Sequence, residues 1–228
     1  MIGEREQNIL EILVREYIKT AEPVSSEKIA RRMKNTLSSA SIRNIFSDLT
    51  EKGYIEQPHT SGGRVPLTSG YRFFVNRILA DGDRSSLLPH EVERLLFAHD
   101  SEESLRTLQN KIAEHFHLLS YWTRTRPIGF DEMFHEPEFF DQSYVQEFGT
   151  FLDTFERFEE KYSDKIDADS FDIVIGEENQ TQSLHHISIV ITKTSEGDMF
   201  CIAGPMRMRY DCIIDLMRLW KKKDPKKR

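Results

Sequence analysis

Ser38-Ser39-Ala40-Ser41-Ile42-Arg43-Asn44, then Gln57-Pro58-His59-Thr60-Ser61-Gly62-Gly63-Arg64-Val65-Pro66, then Gly70-Tyr71-Arg72-Phe73: the reading of this chain turns on these three runs. The first run reads as the start of a short amphipathic helix with a slim polar face, and the second as a glycine-tipped hairpin carrying an arginine. Such a helix, joined closely to such a hairpin, is how a compact domain grips a DNA duplex. Along the helix, Ile42, Ile45, Phe46 and Leu49 share one face at 100° per residue. The opposite face presents Ala40, Asn44 and Ser47, with Ser41 and Arg43 on its flanks, and Gly53 stops the helix. Asn and Arg can bond bidentately to adenine and guanine edges, while Ser reaches bases or phosphates. The bare N–H groups at a helix start near Ser38 or Ser39 favour phosphate.

Taken alone, that polar face suits an ordinary solvent-exposed helix equally well, and the hairpin after it tips the balance. Tyr54-Ile55-Glu56-Gln57 reads as a short strand, Thr60-Ser61-Gly62-Gly63 as a turn able to take positive φ, and Arg64-Val65 as the return strand closed by Pro66. The candidate DNA-contacting residues on the helix are therefore Ser38, Ser39, Ser41, Arg43, Asn44 and Ser47. On the hairpin they are His59, Thr60, Ser61, Gly62, Gly63 and Arg64, with Arg64 expected at a phosphate or in the minor groove.

Upstream, Leu10, Leu13, Val14, Tyr17 and Ile18 recur at helical spacing over about Glu4 to Lys19, and Pro23 is expected to end that helix. Ser25 is placed to cap a second helix reaching about Met33, with Val24 and Ile29 as a hydrophobic staple. A turn at Lys34-Asn35-Thr36 leads into the third helix. Helix, helix, helix, hairpin is the order of a winged helix-turn-helix. A linker helix over 68–79, with Tyr71, Phe74, Val75 and Ile78 on one side, completes a first domain of residues 1–80.

The net charge of -7 is unevenly spread. Residues 1–80 hold 12 Lys and Arg against 9 Asp and Glu, residues 81–217 hold 12 against 28, and residues 218–228 hold 7 against 1. An acidic body does not attract a phosphate backbone, so DNA contact is expected from the first domain. The basic end from Lys221 to Arg228 reads first as a solvated terminus and second as an auxiliary phosphate contact. No run of about 18 apolar residues and no leader-like N-terminus is present, so neither a membrane span nor secretion is expected, and a cytoplasmic location is.

Beyond a boundary at Asp81-Gly82-Asp83-Arg84-Ser85-Ser86, helices are expected over 91–98, 102–122 and 142–162. Val145, Phe148, Leu152, Phe155 and Tyr162 stripe the last of these, as core or, together with the linker helix over 68–79, as the seam of a two-fold dimer around Phe148 and Phe155. Strands are expected over 171–175, 187–192 and 199–203, and a closing helix over 210–221. Cys201 and Cys212 read as buried reduced thiols. The pairs His185-His186 and His115 with His117 lack a third ligand at a metal-binding spacing. Glu177 and Glu178, taken as neighbours on an extended strand, point to opposite faces and cannot work as an acid/base pair. No phosphate loop, nucleophile elbow or His-Glu-x-x-His is present, so no catalytic residue, metal or cofactor is expected and the protein is read as a non-enzyme.

These runs resemble the HrcA family of heat-inducible transcription repressors. The likeness is carried by Glu22-Pro23-Val24, Leu37-Ser38-Ser39-Ala40, Ile42-Arg43-Asn44, Glu56-Gln57-Pro58-His59-Thr60-Ser61 and Gly63-Arg64 through Gly70-Tyr71-Arg72-Phe73. A second block comprises Pro137-Glu138-Phe139, Ile175-Gly176-Glu177-Glu178-Asn179 and Gly204-Pro205-Met206-Arg207-Met208-Arg209-Tyr210. The resemblance implies a homodimeric repressor of chaperone genes that binds an inverted-repeat operator in double-stranded DNA, with a GroEL-type chaperonin as a partner. It also implies a GAF-like sheet domain carrying an inserted dimerisation subdomain. In this chain Trp122-Thr123 is followed almost at once by Ile128 and Pro137-Glu138-Phe139, so roughly a hundred residues of that region are missing.

The expected fold class is α+β: an N-terminal winged helix-turn-helix, then a helix-rich, reduced GAF-like regulatory or dimerisation domain with a small antiparallel sheet over 81–217. The function expected first is sequence-specific repression as a dimer. The alternative is a non-enzymatic interaction protein of the same descent that pairs with a full-length relative or binds DNA weakly. Three strands make a poor cup for a small ligand, so a sensor role is the weakest reading.

Overall fold

The structure is a computed structural model describing residues 2–58, 62–82, 85–98, 101–123, 125–155, 160, 162, 165–167, 170–179, 184–194 and 197–223. The chain forms two compact units, Met1–Gly82 and Asp83–Arg228.

In the first unit, α1 (Glu4–Thr20), α2 (Ser26–Arg32) and α3 (Ser39–Glu51) are followed by the two-residue strands β1 (Ile55–Glu56) and β2 (Val65–Pro66), paired antiparallel, and by α4 (Thr68–Ala80). Leu10, Leu13 and Val14 of α1 are fully buried, as are Ile29, Ile42, Leu49, Ile55 and Val75, so each element contributes its apolar face to one core. α1 stops at Thr20 because Ala21 turns left-handed at φ 53 and returns its N–H to Tyr17 O at 2.8 Å; Pro23 lies beyond that stop and does not make it. Ser25 caps α2 by accepting from Lys28 N at 3.2 Å. Gly53, at φ 71, turns the chain out of α3.

The second unit contains α5 (His90–Ala98), α6 (Glu102–Phe116), β3 (Leu119–Trp122), α7 (Phe130–Met133), a 3-10 turn at Pro137–Phe140, α8 (Gln142–Asp153), β4 (Phe171–Ile175), a 3-10 turn at Gly176–Glu178, β5 (Ile187–Lys193), β6 (Met199–Pro205) and α9 (Tyr210–Lys223). The four strands form one antiparallel sheet in the order β3-β6-β5-β4. The sheet thus has one strand more than the sequence suggests. The helix expected over 102–122 ends at Phe116, where His117 turns left-handed at φ 51, and Leu119–Trp122 then pairs with β6. α8 ends at Asp153 with a break at Thr154, and of the remaining residues expected in that helix the described Phe155, Glu160 and Tyr162 are again helical. Glu177 and Glu178 lie in the 3-10 turn, not on a strand.

Every residue of β6, and all of β5 up to Thr192, is buried, so both faces of the sheet are covered. Leu119, Cys201, Ala203, Ile187, Ile189, Ile191 and Val174 meet the aromatic residues of α8 and its approach, including Phe139, Tyr144, Phe148 and Phe151. Phe200 stacks on Trp220 of α9 and Trp122 packs tilted against it, both with ring centroids 4.8 Å from it, and Ser188 Oγ lies 2.7 Å from Tyr210 Oη. Phe148 is 1% and Phe155 8% exposed, so both rings of the expected two-fold seam are packed inside their own chain. Cys201 and Cys212 are buried free thiols, and burial pushes the Cys212 thiol up to about 12.

Both sheet edges are partly covered. Along β3, Ser120 and Ile128 exchange N–H···O bonds of 2.8 and 2.9 Å. Along β4, Ile173 N donates to Asp172 Oδ1 at 2.8 Å and Ile175 N to Glu178 Oε2 at 2.9 Å. These carboxylates occupy amides that an edge strand otherwise offers to a neighbour.

Glu147 of α8 ties the start of β5 by accepting from His186 N at 2.7 Å, with its other oxygen 2.8 Å from His186 Nδ1. The Glu147 hydrogen bond is the main cause raising the His186 pKa above its ordinary 6.5. The fold therefore favours the protonated ring. The stabilisation from this pair is complete below about pH 6.5 and is lost as pH rises through the raised folded value. Melting of the wild type between pH 5.5 and 8.5 will show this loss, and His186→Ala will flatten it; an unchanged profile in the variant would rule out the linkage.

Candidate nucleic-acid interface

The polar face expected on the third helix is present on α3. Ile42, Phe46 and Leu49 are buried, while Ser41, Arg43, Asn44 and Ser47 are exposed and Ser39 is half-buried. Ser38 is the N-cap: its Oγ accepts from Ser41 N at 3.1 Å and lies 2.9 Å from Ser41 Oγ. Those two hydroxyls are partly committed to starting the helix. Ser47 Oγ donates back to Arg43 O at 3.2 Å. Asn44 keeps its amide in solvent with no hydrogen bond to another described residue, so both its donor and its acceptor are available.

Arg43 is held more closely than its 65% side-chain exposure suggests. One guanidinium nitrogen, Nη2, lies 3.5 Å from Ser39 Oγ and 3.7 Å from Glu27 Oε1 of α2. The turn between α2 and α3 places two successive residues, Lys34 and Asn35, in the left-handed region at φ 52 and 56. Asn tolerates that region better than most residues, and Asn35 N closes on Ala30 O at 2.8 Å. α1 and α2 are joined through Glu16, only 6% exposed, which lies 2.6 Å from Arg32 Nε and 3.5 Å from Lys28 Nζ. These two α2 cations are thus used to hold the helices, while Arg31 and Lys34 remain exposed.

The hairpin departs from expectation at Arg64. Its backbone N–H and C=O pair with Val24 at 2.9 and 2.8 Å, adding a third chain segment to the two-stranded ladder. Its side chain folds back, with the guanidinium 5.9 Å from the Phe46 ring centroid and Nη1 donating to Gly63 O at 3.2 Å. Arg64 is half-buried against the core and does not extend from the hairpin as a minor-groove finger. Gly63 is buried because it must be: a Cβ there would lie 2.6 Å from Pro23 C. Gly62 is exposed, with nothing within 4 Å of such a Cβ. His59, Thr60 and Ser61 lie outside the described residues.

Three features of this face escaped the sequence reading: Glu27, Glu16 and the doubly left-handed turn. Only Asn35, just past the end of a short helix, carried a signal for the last of them.

In the second unit no described residues converge on comparable chemistry. His117 pairs with Glu136 at 2.6 Å and His115 lies 3.8 Å from Glu91, and among the described residues no three His, Cys, Asp or Glu side chains come together to hold a metal. Arg207, 11% exposed, is gripped by Glu138 at 2.6 and 2.9 Å and by Glu136. Asn179 Nδ2 lies 2.9, 3.2 and 2.9 Å from the carbonyls of Gly176, Leu184 and Ile187. These are structural fasteners. Among the described residues no helix is long and apolar enough to cross a membrane.

Residues 72–214 match the family profile described as HrcA protein C terminal domain. Several proteins described as heat-inducible transcription repressor HrcA are similar to this chain. The one from Nitratidesulfovibrio vulgaris (strain DP4) is 39% identical over 116 residues, 50% of this chain and 33% of that protein. The one from Symbiobacterium thermophilum is 40% identical over 123 residues, 54% of this chain and 35% of that protein. The one from Brevibacillus brevis is 54% identical over 79 residues, 35% of this chain and 23% of that protein. The matched stretch thus spans about a third or less of these relatives. A crystal structure described as that of a hypothetical protein superposes with a TM-score of 0.75 at 17% identity, covering 98% of this chain and 99% of the other, a likeness of fold alone.

Proposed function

The chain belongs to the HrcA family, and from that premise we propose that its first unit is a winged helix-turn-helix that binds an inverted-repeat DNA operator, with α3 as the reading helix, and that the protein represses heat-shock genes as a dimer in the cytoplasm. One observation carries the reading. α3 is pinned from behind by Ile42, Phe46 and Leu49 and presents Ser41, Arg43, Asn44 and Ser47 on an exposed outer side. A major groove admits a helix whose leading face is this slim, and Asn and Arg carry the bidentate geometry that distinguishes adenine and guanine. The curated relatives, described as heat-inducible transcription repressors, support the class of target. The second unit is read as a reduced GAF-like regulatory domain, and a GroEL-type chaperonin as a partner is carried over from the family resemblance.

Roles are divided differently from the sequence expectation. Asn44 and Arg43 read bases; Ser39, Ser41 and Ser47 line the groove. Arg64 braces the hairpin against Phe46, and the exposed Gly62 is left to meet phosphate.

The test is selection from a pool of random duplexes, then titration of the selected inverted repeat, one of its half-sites and a shuffled duplex. A lone reading helix recognises about one half-site, and two copies raise affinity through effective concentration. The selected repeat should bind about tenfold tighter, or more, than its half-site. Asn44→Ala or Arg43→Ala should cost about 1–3 kcal/mol on the repeat and much less on the shuffled duplex. Equal losses on both duplexes would contradict base reading.

A second reading is favoured by the short span of the curated relatives that the chain matches. In it, the protein regulates by pairing with a longer relative and binds DNA weakly alone. A monomer in sedimentation that binds repeat and half-site equally is the result that would favour it.

A further inference from the structure

We infer that Glu27 is a positioning residue for Arg43, and that this pair sets how far α3 prefers its own sequence over any other DNA. The inference rests on the DNA-binding reading above and deepens it.

Glu27 stands in the first turn of α2, close behind the Ser25 cap. Its own backbone N–H, then the Ser25 and Ser26 hydroxyls, and then the Arg43 charge hold its carboxyl below the usual carboxylate range. A carboxylate in the first turn of a helix is favoured there by the helix dipole. Its Oε1 lies 3.7 Å from Arg43 Nη2, and the same nitrogen lies 3.5 Å from Ser39 Oγ. The guanidinium is therefore bracketed by one group on α2 and one on its own helix.

For a cation beside a groove, that bracketing acts on both orientation and charge. An unrestrained arginine samples many rotamers and serves any phosphate it meets, which gives affinity without sequence information. Held between Glu27 and Ser39, it has fewer orientations to choose from and presents its fork to a base edge at a lower entropic cost. Glu27 also cancels much of the Arg43 charge at a distance, so sequence-independent attraction falls. Because both side chains are more than half exposed, at 65% and 58%, the pair exchanges readily for a DNA contact once a matching base is present.

The experiment uses the full chain, with Kd measured across a salt series on the selected inverted repeat and on the shuffled duplex. The variants are Glu27→Gln, Arg43→Ala, the double variant, and Glu4→Gln as an equal charge change on α1. Glu27→Gln should bind shuffled DNA roughly three- to tenfold tighter and the repeat less so, lowering the specificity ratio, with a salt slope steeper by about one contact. In the Arg43→Ala background, Glu27→Gln should leave that ratio unmoved, because Glu27 acts through Arg43. Glu4→Gln should keep the wild-type ratio. A wild-type ratio in Glu27→Gln, or an equal shift with and without Arg43, would overturn the inference while leaving DNA binding intact. Failure of the wild type to bind any selected duplex would overturn the DNA-binding reading, and this inference with it.

Discussion

Phe148→Ala will destabilise the second unit by about 3–5 kcal/mol, a loss independent of protein concentration. The ring is 1% exposed and meets Phe130, Phe139 and Phe151 at centroid distances of 5.7, 5.5 and 5.6 Å. Removing it leaves a cavity walled by other large rings, which cannot collapse to fill it. Trp122 and Trp220, the two tryptophans of the chain, both lie in this unit, so fluorescence during urea unfolding reports its transition. If the ring instead belonged to a seam between copies, the midpoint would move with protein concentration and the variant would remove that dependence. A loss below about 1 kcal/mol, or a concentration-dependent one, would contradict the core assignment.

Gly63→Ala is expected to have the largest effect in the first unit. The added methyl would lie 2.6 Å from Pro23 C and 2.7 Å from Pro23 O, which are backbone atoms. They cannot swing aside, because Val24 and Arg64 are joined by hydrogen bonds of 2.8 and 2.9 Å right beside the contact. The hairpin must move away from the entry to α2, at a cost of about 1–3 kcal/mol. Moving it also shifts the tip proposed to meet phosphate, so binding to repeat and shuffled duplexes should fall together by about tenfold or more. Gly62→Ala is the control: nothing lies within 4 Å of its added methyl, and its cost should stay within about 0.5 kcal/mol. Far-UV helicity against urea, and duplex titration, measure both effects. Equal stability of the two variants would show that the Pro23 contact is slack.

What the sequence revealed was mostly local. The α3 stripe of Ile42, Phe46 and Leu49, the Ser25 cap and the α4 face of Tyr71, Phe74, Val75 and Ile78 come from short-range periodicity and capping chemistry, and all are present. β3 was hidden because Leu119–Trp122 continues the apolar spacing of α6. What ends α6 is a left-handed His117, a conformation that histidine does not advertise. The position of the Arg64 side chain was illegible for a related reason: a hairpin sequence does not say whether an arginine reaches outward or lies back on an aromatic ring such as Phe46.

Residues of the second block act as fasteners. Glu138 holds Arg207, Glu178 caps the β4 edge, and Tyr210 meets Ser188. Two of these fasteners link residues far apart in the chain, which no local pattern reveals. For the proposed DNA-facing surface, the polar residues of α3 were visible, but the acidic neighbour that restrains Arg43 comes from another helix and was not.

The partly covered edges of the four-stranded sheet also bear on assembly. With the Ile173 and Ile175 amides taken by Asp172 and Glu178, and Ser120 paired to Ile128, each border has lost part of the ladder on which a second sheet could be continued. If two copies pair as proposed, these borders favour a contact through side chains over one through shared backbone hydrogen bonds. A contact of that kind can be dissolved and re-formed without unpicking a strand, which would suit the reversible repression proposed above.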